Sequence, residues 1–482
     1  MNKKGFTLVE LLAVIAILAI LVIIALPNVL SMFNNAKKDI FLTEAKNIYK
    51  EVSKKYISET MRGNKVTKIS NDKNKLDLES NNLEYGISLD NEGKVKYFQV
   101  SDGTYCISGK ISNLSELTID KISDGACSEY DDISPEPIYC TFDGNMVQGT
   151  EYVNGQYTYR YKSSGKYTNT GISWTNISVD GWGVQLTDKT STEPVTSKLC
   201  TYINDKPVVS MAYMFLNSQA SAIDLSSFNT SKVTNMNYMF CRVKITDLDV
   251  SNFDTSKVTN MSSMFSNTKA TILDLSNFNT SKVIGMDSMF VKSSATKIIF
   301  GDNFNTNNVV SMRGMFNMSN VTKLDLGNFD TSKVTDMSYM FSNAALTELD
   351  VRNFNTGKVI DMSAMFQFSK IKILDLSSFD TSKVTDMGWM FNTSETTSID
   401  LSNFDTSKVT DMMYMFYSNS NLKTIYASNK FNTSSVSNSS NMFKNCTSLV
   451  GGSGTIYNSS KINKTYARID GGTSSPGYFT GK

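Results

Sequence analysis

The sequence predicts an α+β chain with four parts in series: a long amino-terminal helix ending in a small head, a short β domain, a solenoid of parallel strands, and a closing cap. Three observations predict it. Residues 11–26 are apolar without a break; a Tyr- and Gly-rich stretch lies between Cys140 and Cys200; and the dipeptide Met-Phe recurs at Phe215, Phe240, Phe265, Phe290, Phe316, Phe341, Phe366, Phe391, Phe416 and Phe443, spaced 25 or 26 residues apart until a final 27.

The helix comes first. Residues 6–26 supply about the 20 residues that a membrane span needs. Lys3 and Lys4 orient the span, because the short lysine-bearing end stays cytoplasmic and the chain beyond it is carried outside. No small-residue cleavage site of the A-x-A kind follows the run, so the segment is expected to be kept rather than removed as a secretory signal. Pro27 should kink the helix, since it lacks an amide proton and its ring meets the carbonyl one turn earlier. Helical spacing then continues to residue 60, with Phe33, Ile40, Ala45, Ile48, Val52 and Tyr56 expected on the buried face. Strand-like runs at 86–89 and 94–100 place a helix-on-sheet head at 61–134.

Within this amino terminus, Lys3-Lys4-Gly5-Phe6-Thr7-Leu8-Val9-Glu10 resembles the processing motif of type IV pilins and pseudopilins. The resemblance implies that a prepilin peptidase removes residues 1–5 by cutting between Gly5 and Phe6, that Phe6 is then N-methylated, and that the head is pilin-like. It also implies that residues 6–60 form one long helix, of which 6–26 spans the membrane before assembly, and that this helix packs among other pilin subunits afterwards. Glu10 has a physical reason of its own. An ionisable group in a membrane helix is costly, and the new ammonium at Phe6 lies four residues earlier on the same helix face, where the two charges neutralise each other.

Composition narrows the chemistry. The 482 residues hold 47 Lys and Arg against 46 Asp and Glu, a net charge of +1, so no basic field draws in nucleic acid and none is expected as a partner. Histidine is absent, which removes His-based triads, imidazole bases and His-ligated metals together. Six cysteines are present without a C-x-x-C pair, so neither zinc nor a redox dithiol is suggested. No enzyme activity, cofactor or metal is expected. In an oxidising exterior, Cys106 with Cys127 and Cys140 with Cys200 are the candidate disulfides. Cys241 and Cys446 lie eight repeats apart, beyond disulfide reach, and read as buried thiols.

Residues 129–139 are acidic and hold two of the six prolines, which marks a stiff connector with a boundary near 135. The β domain is placed at 138–205, with a hairpin signalled by Asn154-Gly155. The repeats follow at 206–445 and the cap at 446–482. In the typical unit at 324–341, Leu324-Asp325-Leu326 alternates as a half-buried strand, while Val334, Met337, Met340 and Phe341 fall at helical spacing. Each repeat therefore reads as one strand and one short helix, with Thr331 and Ser332 as candidate N-caps and Asp336 in the first helical turn. One unit cannot bury a core alone, so the units must stack. The methionines belong to that core, where flexible thioethers fill gaps between turns. No proline occurs between Pro207 and Pro476, as an unbroken strand ladder requires.

The repeat unit, the stretch CTFDGNMVQGTEYVNGQYTYRY from Cys140, and the ending TYARIDGGTSSPGYFTG resemble the BspA-type leucine-rich-repeat surface proteins of Gram-positive bacteria. This resemblance covers residues 140–482 and implies a leucine-rich-repeat-like solenoid, display at the cell surface, and adhesion. The lipoprotein cysteine and carboxy-terminal sorting signal of such proteins are missing, so the amino-terminal helix takes the place of their anchor.

Two columns could carry recognition. Tyr213, Tyr238, Tyr339, Trp389 and Tyr414 share the position before Met-Phe, away from the core stripe of the expected helix, and are the candidate contacts for a surface protein or glycan. Asp224, Asp249, Asp274, Asp325, Asp350, Asp375 and Asp400 recur one per repeat and are read as a solvated column balanced by lysines in the next loop. The function expected is a membrane-anchored, surface-exposed subunit that presents a binding solenoid on or near a thin filament. The alternative is a minor pseudopilin of a secretion or DNA-uptake apparatus.

Overall fold

The computed structural model describes residues 8–482 except 63–65, 67, 72–74, 79–82, 90–92, 110, 112, 126, 128–134, 136 and 163–179, with the backbone alone for residues 8–33. The chain divides into two compact units, Met1–Ile133 and Ser134–Lys482.

In the first unit, α1 runs Leu8–Met61, and helical backbone continues through Pro27. Phe41, Ala45, Ile48 and Val52 form its buried stripe at spacings of four, three and four residues. Ile40, expected there, is 64% exposed, whereas Phe41 is 1% exposed. The stripe turns Phe41 inward because it lies four residues before Ala45, and Ile40 falls a residue out of phase. The helix packs on β1 (Lys68–Ser70), β2 (Glu84–Leu89), β3 (Val95–Ser101), β4 (Tyr105–Gly109) and β5 (Ile122–Asp124), an antiparallel sheet in chain order. Phe41 meets Tyr105 and Tyr49 meets Phe98, with ring centroids 5.9 and 5.6 Å apart. A Cys106–Cys127 disulfide ties the segment after β5 back to β4.

The second unit opens on a six-stranded sheet in the order β6-β10-β11-β9-β8-β7, made of β6 (Tyr139–Cys140), β7 (Glu151–Asn154), β8 (Tyr157–Lys162), β9 (Gly181–Leu186), β10 (Tyr202–Ile203) and β11 (Lys206–Ser210). Gly155 takes the left-handed conformation at the β7–β8 hairpin, with φ +55°. A Cys140–Cys200 disulfide closes the segment. No boundary separates this sheet from the repeats near residue 205. Ser210 at the end of β11 bridges Asn235 in parallel, and Tyr157, Tyr159 and Trp182 share one hydrophobic core with the repeats.

From there the chain winds in stacked turns. A parallel ladder links the residue before the first Met of successive units, Ser210 to Asn235 and onward through Asn260, Gly285, Ser311, Asp336, Asp361, Asp386 and Asp411, and ends on Asn438, which Ser439 follows in place of Met. Leu326, Phe329, Val334, Met337, Met340 and Phe341 of the typical unit are all buried. The Met-Phe phenylalanines stack nearly parallel through the array, as in Phe316–Phe341 and Phe341–Phe366, at 5.8 and 6.0 Å. The Leu-Asp-Leu segment is extended strand in only some turns: β12 (Ile272–Leu275) pairs with β13 (Lys297–Phe300), and β14 (Ser398–Leu401) with β15 (Thr424–Ala427), all in parallel.

The short helix expected in each repeat does not form. In its place, alternate amides reach the following turn: Met337, Tyr339, Phe341 and Asn343 donate to the carbonyls of Asp361, Ser363, Met365 and Gln367 at 2.7–3.0 Å. The amides between them close overlapping three-residue turns, Met340 onto Met337, Ser342 onto Tyr339 and Ala344 onto Phe341. Tyr339 and Asn343 take left-handed backbone, φ 58° and 51°. A helix would spend every amide inside its own turn and leave the stack unlinked. Overlapping turns of three residues bury the same Val, Met and Met positions that a helix would, and so imitate its spacing.

Polar residues secure each turn. Asp325, Asp330 and Asp336 each accept the backbone N–H two residues on, at 2.9–3.1 Å, so a single repeat carries three Asx turns. The expected caps act otherwise: Thr331 donates its hydroxyl to the Asn355 carbonyl one turn away, and Asp336 accepts from Ser338. Asn353 reaches back to the carbonyls of Leu326 and Phe329. These bonds satisfy polar groups that the stack would otherwise bury unpaired.

At the far end, β16 (Phe479–Gly481) adds to β15 in parallel and Tyr478 closes the core. Asp470, 6% exposed, organises this cap. Its carboxylate accepts from the backbone N–H groups of Ser453, Thr455, Gly472 and Gly477 and from the Thr455 hydroxyl. Burial disfavours the charge, but the bonds from Thr455, Gly472 and Ser453 outweigh it and hold the pKa at about 2. Asp470→Ala should cost on the order of 3 kcal/mol or more, because several buried donors lose a charged acceptor. Since the folded pKa is depressed, the stabilisation is present above about pH 4 and is lost as pH falls toward 2. Urea melts of wild type and variant should therefore converge in acid; a constant gap between them would refute this role.

Asp336, Asp361, Asp386 and Asp411 stand on successive rungs of the ladder. Burial, with Asp361 and Asp411 on either side and opposed by the Gly388 N–H, pushes the Asp386 carboxyl up. A raised folded pKa means that this site lowers stability as pH rises through it. Asp386→Asn keeps the acceptor for Gly388 and removes the repulsion. It should stabilise the protein by about 0.5–1 kcal/mol at neutral pH and shrink that gain in acid, as read by melting temperature against pH.

Candidate functional site

The five aromatic candidates sit at the first left-handed position of their turns, with φ of 60°, 55°, 58°, 61° and 55° for Tyr213, Tyr238, Tyr339, Trp389 and Tyr414. Ser263, Ser288, Gly314, Ala364 and Asn441 hold the same position in the other turns. The turn conformation directs these side chains outward, but neighbouring turns shield them. All five are half-buried rather than fully exposed, which corrects the expectation drawn from a helical wheel.

The column resolves into two stacked pairs and a single ring. Tyr213 and Tyr238 lie 4.8 Å apart at 8°, and Trp389 and Tyr414 4.2 Å apart at 20°. Because ring follows ring at one-turn spacing, the partners cover each other's faces and leave edges toward solvent. Asn441 donates to the Tyr414 hydroxyl at 3.0 Å, and Tyr417 meets Tyr414 edge-on at 5.1 Å. Tyr339 carries the Arg313 guanidinium over its face at 5.5 Å. A rigid aromatic edge with polar groups beside it suits contact with a protein or sugar surface.

Sequence reasoning missed several neighbours. Lys189 donates to the Tyr213 carbonyl at 2.7 Å and to Gln185, and burial pushes its pKa down to about 8. A second left-handed position, four residues beyond the first, sets Met318 and Phe368 at the surface. The signal was available in the recurrence of Asn at this position, as Asn217, Asn267 and Asn343, since Asn tolerates left-handed backbone.

The Asp column at Asp224, Asp249, Asp274, Asp325, Asp350, Asp375 and Asp400 owes its recurrence to the turns, since each carboxylate accepts the amide two residues on. Among the described residues, no group of three or more His, Cys, Asp or Glu side chains is placed to hold a metal ion. Cys241 and Cys446 are buried free thiols, and burial pushes both upward, Cys446 to about 12.

Gly5 and Phe6 lie outside the described residues, and Glu10 falls within α1, where the backbone alone is described. Among the described residues no helix is long and apolar enough to cross a membrane; the side chains of the apolar run at 6–26 are not among them.

Residues 1–26 match the prokaryotic N-terminal methylation motif, so the chain carries a type IV pilin-like amino terminus, and the motif implies processing by a prepilin peptidase. No curated protein and no solved structure matches the chain. A second family model matches three times, at 191–299, 293–371 and 367–474, a span that covers the stacked turns and most of the cap. Because these matches together take in more than half of the 482 residues, the chain belongs to the family described as Mycoplasma protein of unknown function, DUF285.

Proposed function

We propose that this protein is a pilin-like surface subunit that displays the stacked-turn array for adhesion, with no catalytic role. The methylation motif at residues 1–26 carries the reading, since it joins a prepilin-type terminus to a large array of repeats. On this reading the peptidase cuts between Gly5 and Phe6, Phe6 is methylated, and Glu10 neutralises the new ammonium during docking among other subunits. The helix laid on an antiparallel sheet supports a pilin-like head, and the parallel stacking of turns supports kinship with leucine-rich-repeat solenoids of the BspA type. The two disulfides support an oxidising exterior. Replacing Gly5 with a bulky residue should leave residues 1–5 attached, because the peptidase must accept a small residue before Phe6; mass spectrometry that finds a normal methyl-Phe6 terminus would overturn this. Sheared cells should release the wild-type protein with thin filaments and retain the uncleaved variant.

The Trp389–Tyr414 pair is the best single contact surface. Asn441 and Tyr417 brace Tyr414, and the pair offers the largest aromatic edge of the column. Trp389→Ala with Tyr414→Ala should abolish most attachment to the natural target surface. Loss of a stacked pair costs about 0.5–1.5 kcal/mol beyond area burial, so the melting temperature should fall by only a few degrees. Full attachment by the folded double variant would remove this surface from the proposal.

A further inference from the structure

The net charge of +1 hides an asymmetry along the array. Lys232, Lys257, Lys282, Lys333, Lys358, Lys383 and Lys408 occupy one position of successive turns, with Asn308 in the gap, and all seven are exposed. Each precedes a buried valine whose amide closes onto a threonine, as Val258 does on Thr255. Two residues beyond each lysine, the amides of Thr234, Thr259, Ile284, Thr335, Ile360, Thr385 and Thr410 bond the preceding turn at 2.8–2.9 Å, and Val310 beyond Asn308 does so at 3.2 Å. The lysines thus share a fixed backbone and repeat once per turn.

What flanks them differs between the two ends. In the later turns, Asp330, Asp380 and Asp405 stand three residues before a lysine, and Asp336, Asp361, Asp386 and Asp411 three residues after. Lys333, Lys383 and Lys408 help to hold the first three carboxyls low. In the first three turns the same places hold Asn229, Asp254 and Asn279 before the lysine and Asn235, Asn260 and Gly285 after it. One carboxylate faces three ammonium groups there; Asp287, further along its turn, is bonded by the Ser311 hydroxyl. Among the described residues, none of the seven lysines forms an ion pair. Partial desolvation pushes the exposed Lys257 down, Lys232 and Lys282 on either side add to it, and Asp254 opposes it. An anion bound along these side chains would offset that repulsion.

We propose that Lys232, Lys257 and Lys282 form a docking strip for a linear polyol-phosphate polymer, with one phosphodiester set against each turn. The strip advances one lysine per rung of the parallel ladder through Asn235, Asn260 and Gly285, and lysine suits phosphate as a point charge. It also lacks what a nucleic acid needs. Single-strand binders interleave aromatic platforms for the bases, whereas the positions beside these lysines are Ser231, Ser256 and Ser281 and then Thr234, Thr259 and Ile284. The proposal does not depend on filament assembly.

The test uses the full-length protein in detergent with a synthetic poly(glycerol phosphate) oligomer, titrated at several salt concentrations. Three contacts on a flexible polyanion predict a log–log salt slope of about −2, at roughly −0.7 per phosphate. The triple variant K232Q/K257Q/K282Q should lose at least about tenfold in affinity and most of that slope. The variant K333Q/K358Q/K383Q/K408Q, whose lysines are compensated by aspartates, should stay within about threefold of wild type. All seven side chains are exposed, so unchanged melting temperatures report that both variants fold. No binding at low salt, equal losses in the two variants, or tighter binding of a single-stranded oligonucleotide of equal charge would overturn the proposal.

Discussion

The array depends on one interaction, the hydrogen bond from a backbone amide to a carbonyl one full turn further along the chain. Met337 to Asp361, Tyr339 to Ser363 and Phe341 to Met365 show the pattern, and it recurs from Met211 to Ser418. To point alternate amides along the stack, the backbone turns left-handed at every fourth residue of the segment, before Met-Phe and four places later. To hold that backbone without a helix, each turn needs local acceptors, hence the three Asx turns of the typical repeat. The buried threonines and asparagines then take up the carbonyls that remain.

The same bond sets where side chains go. Inward positions repeat at one-turn spacing, so phenylalanines stack on phenylalanines and methionines fill between them. Outward positions repeat too, and any residue placed there meets its own kind. Aromatic rings profit from this, as Trp389 on Tyr414 does. Like charges do not: desolvation comes first in raising Asp386 and lowering Lys257, and the like-charged neighbours one turn away add to both shifts. A stacked fold therefore turns single-residue choices into surfaces, and a change from Asn to Asp at a neighbouring position is enough to alter the field over several turns.

Such an array must be closed at both ends. At the start, β11 supplies the first rung through Ser210, and the Cys140–Cys200 bridge sits beside it. At the end, Asp470 gathers the amides of a proline- and glycine-containing loop so that β16 can lie on β15. The amino-terminal unit has a different economy: a long helix supplies one stripe, Phe41 to Val52, and the antiparallel sheet covers it.

Much of this was legible in the residues themselves. The amino-terminal motif is legible through its resemblance to pilin processing segments, and the two disulfides join the cysteines that were candidates for an oxidising exterior. The period of Met-Phe and the buried identities of Phe329, Val334, Met337 and Met340 follow from recurrence and hydropathy along the chain. The conformation of the Val-Met-Met-Phe segment did not, because turns of three and a helix of 3.6 residues bury nearly the same positions. Nor did the half-burial of Tyr213 and Trp389, the merger of the 138–205 sheet with the repeats, or the uneven field along the lysines. In each case the deciding partner lies about 25 residues away, one turn along the stack. Local pattern reports which side chains avoid water, but only the stacked structure decides which amide meets which carbonyl.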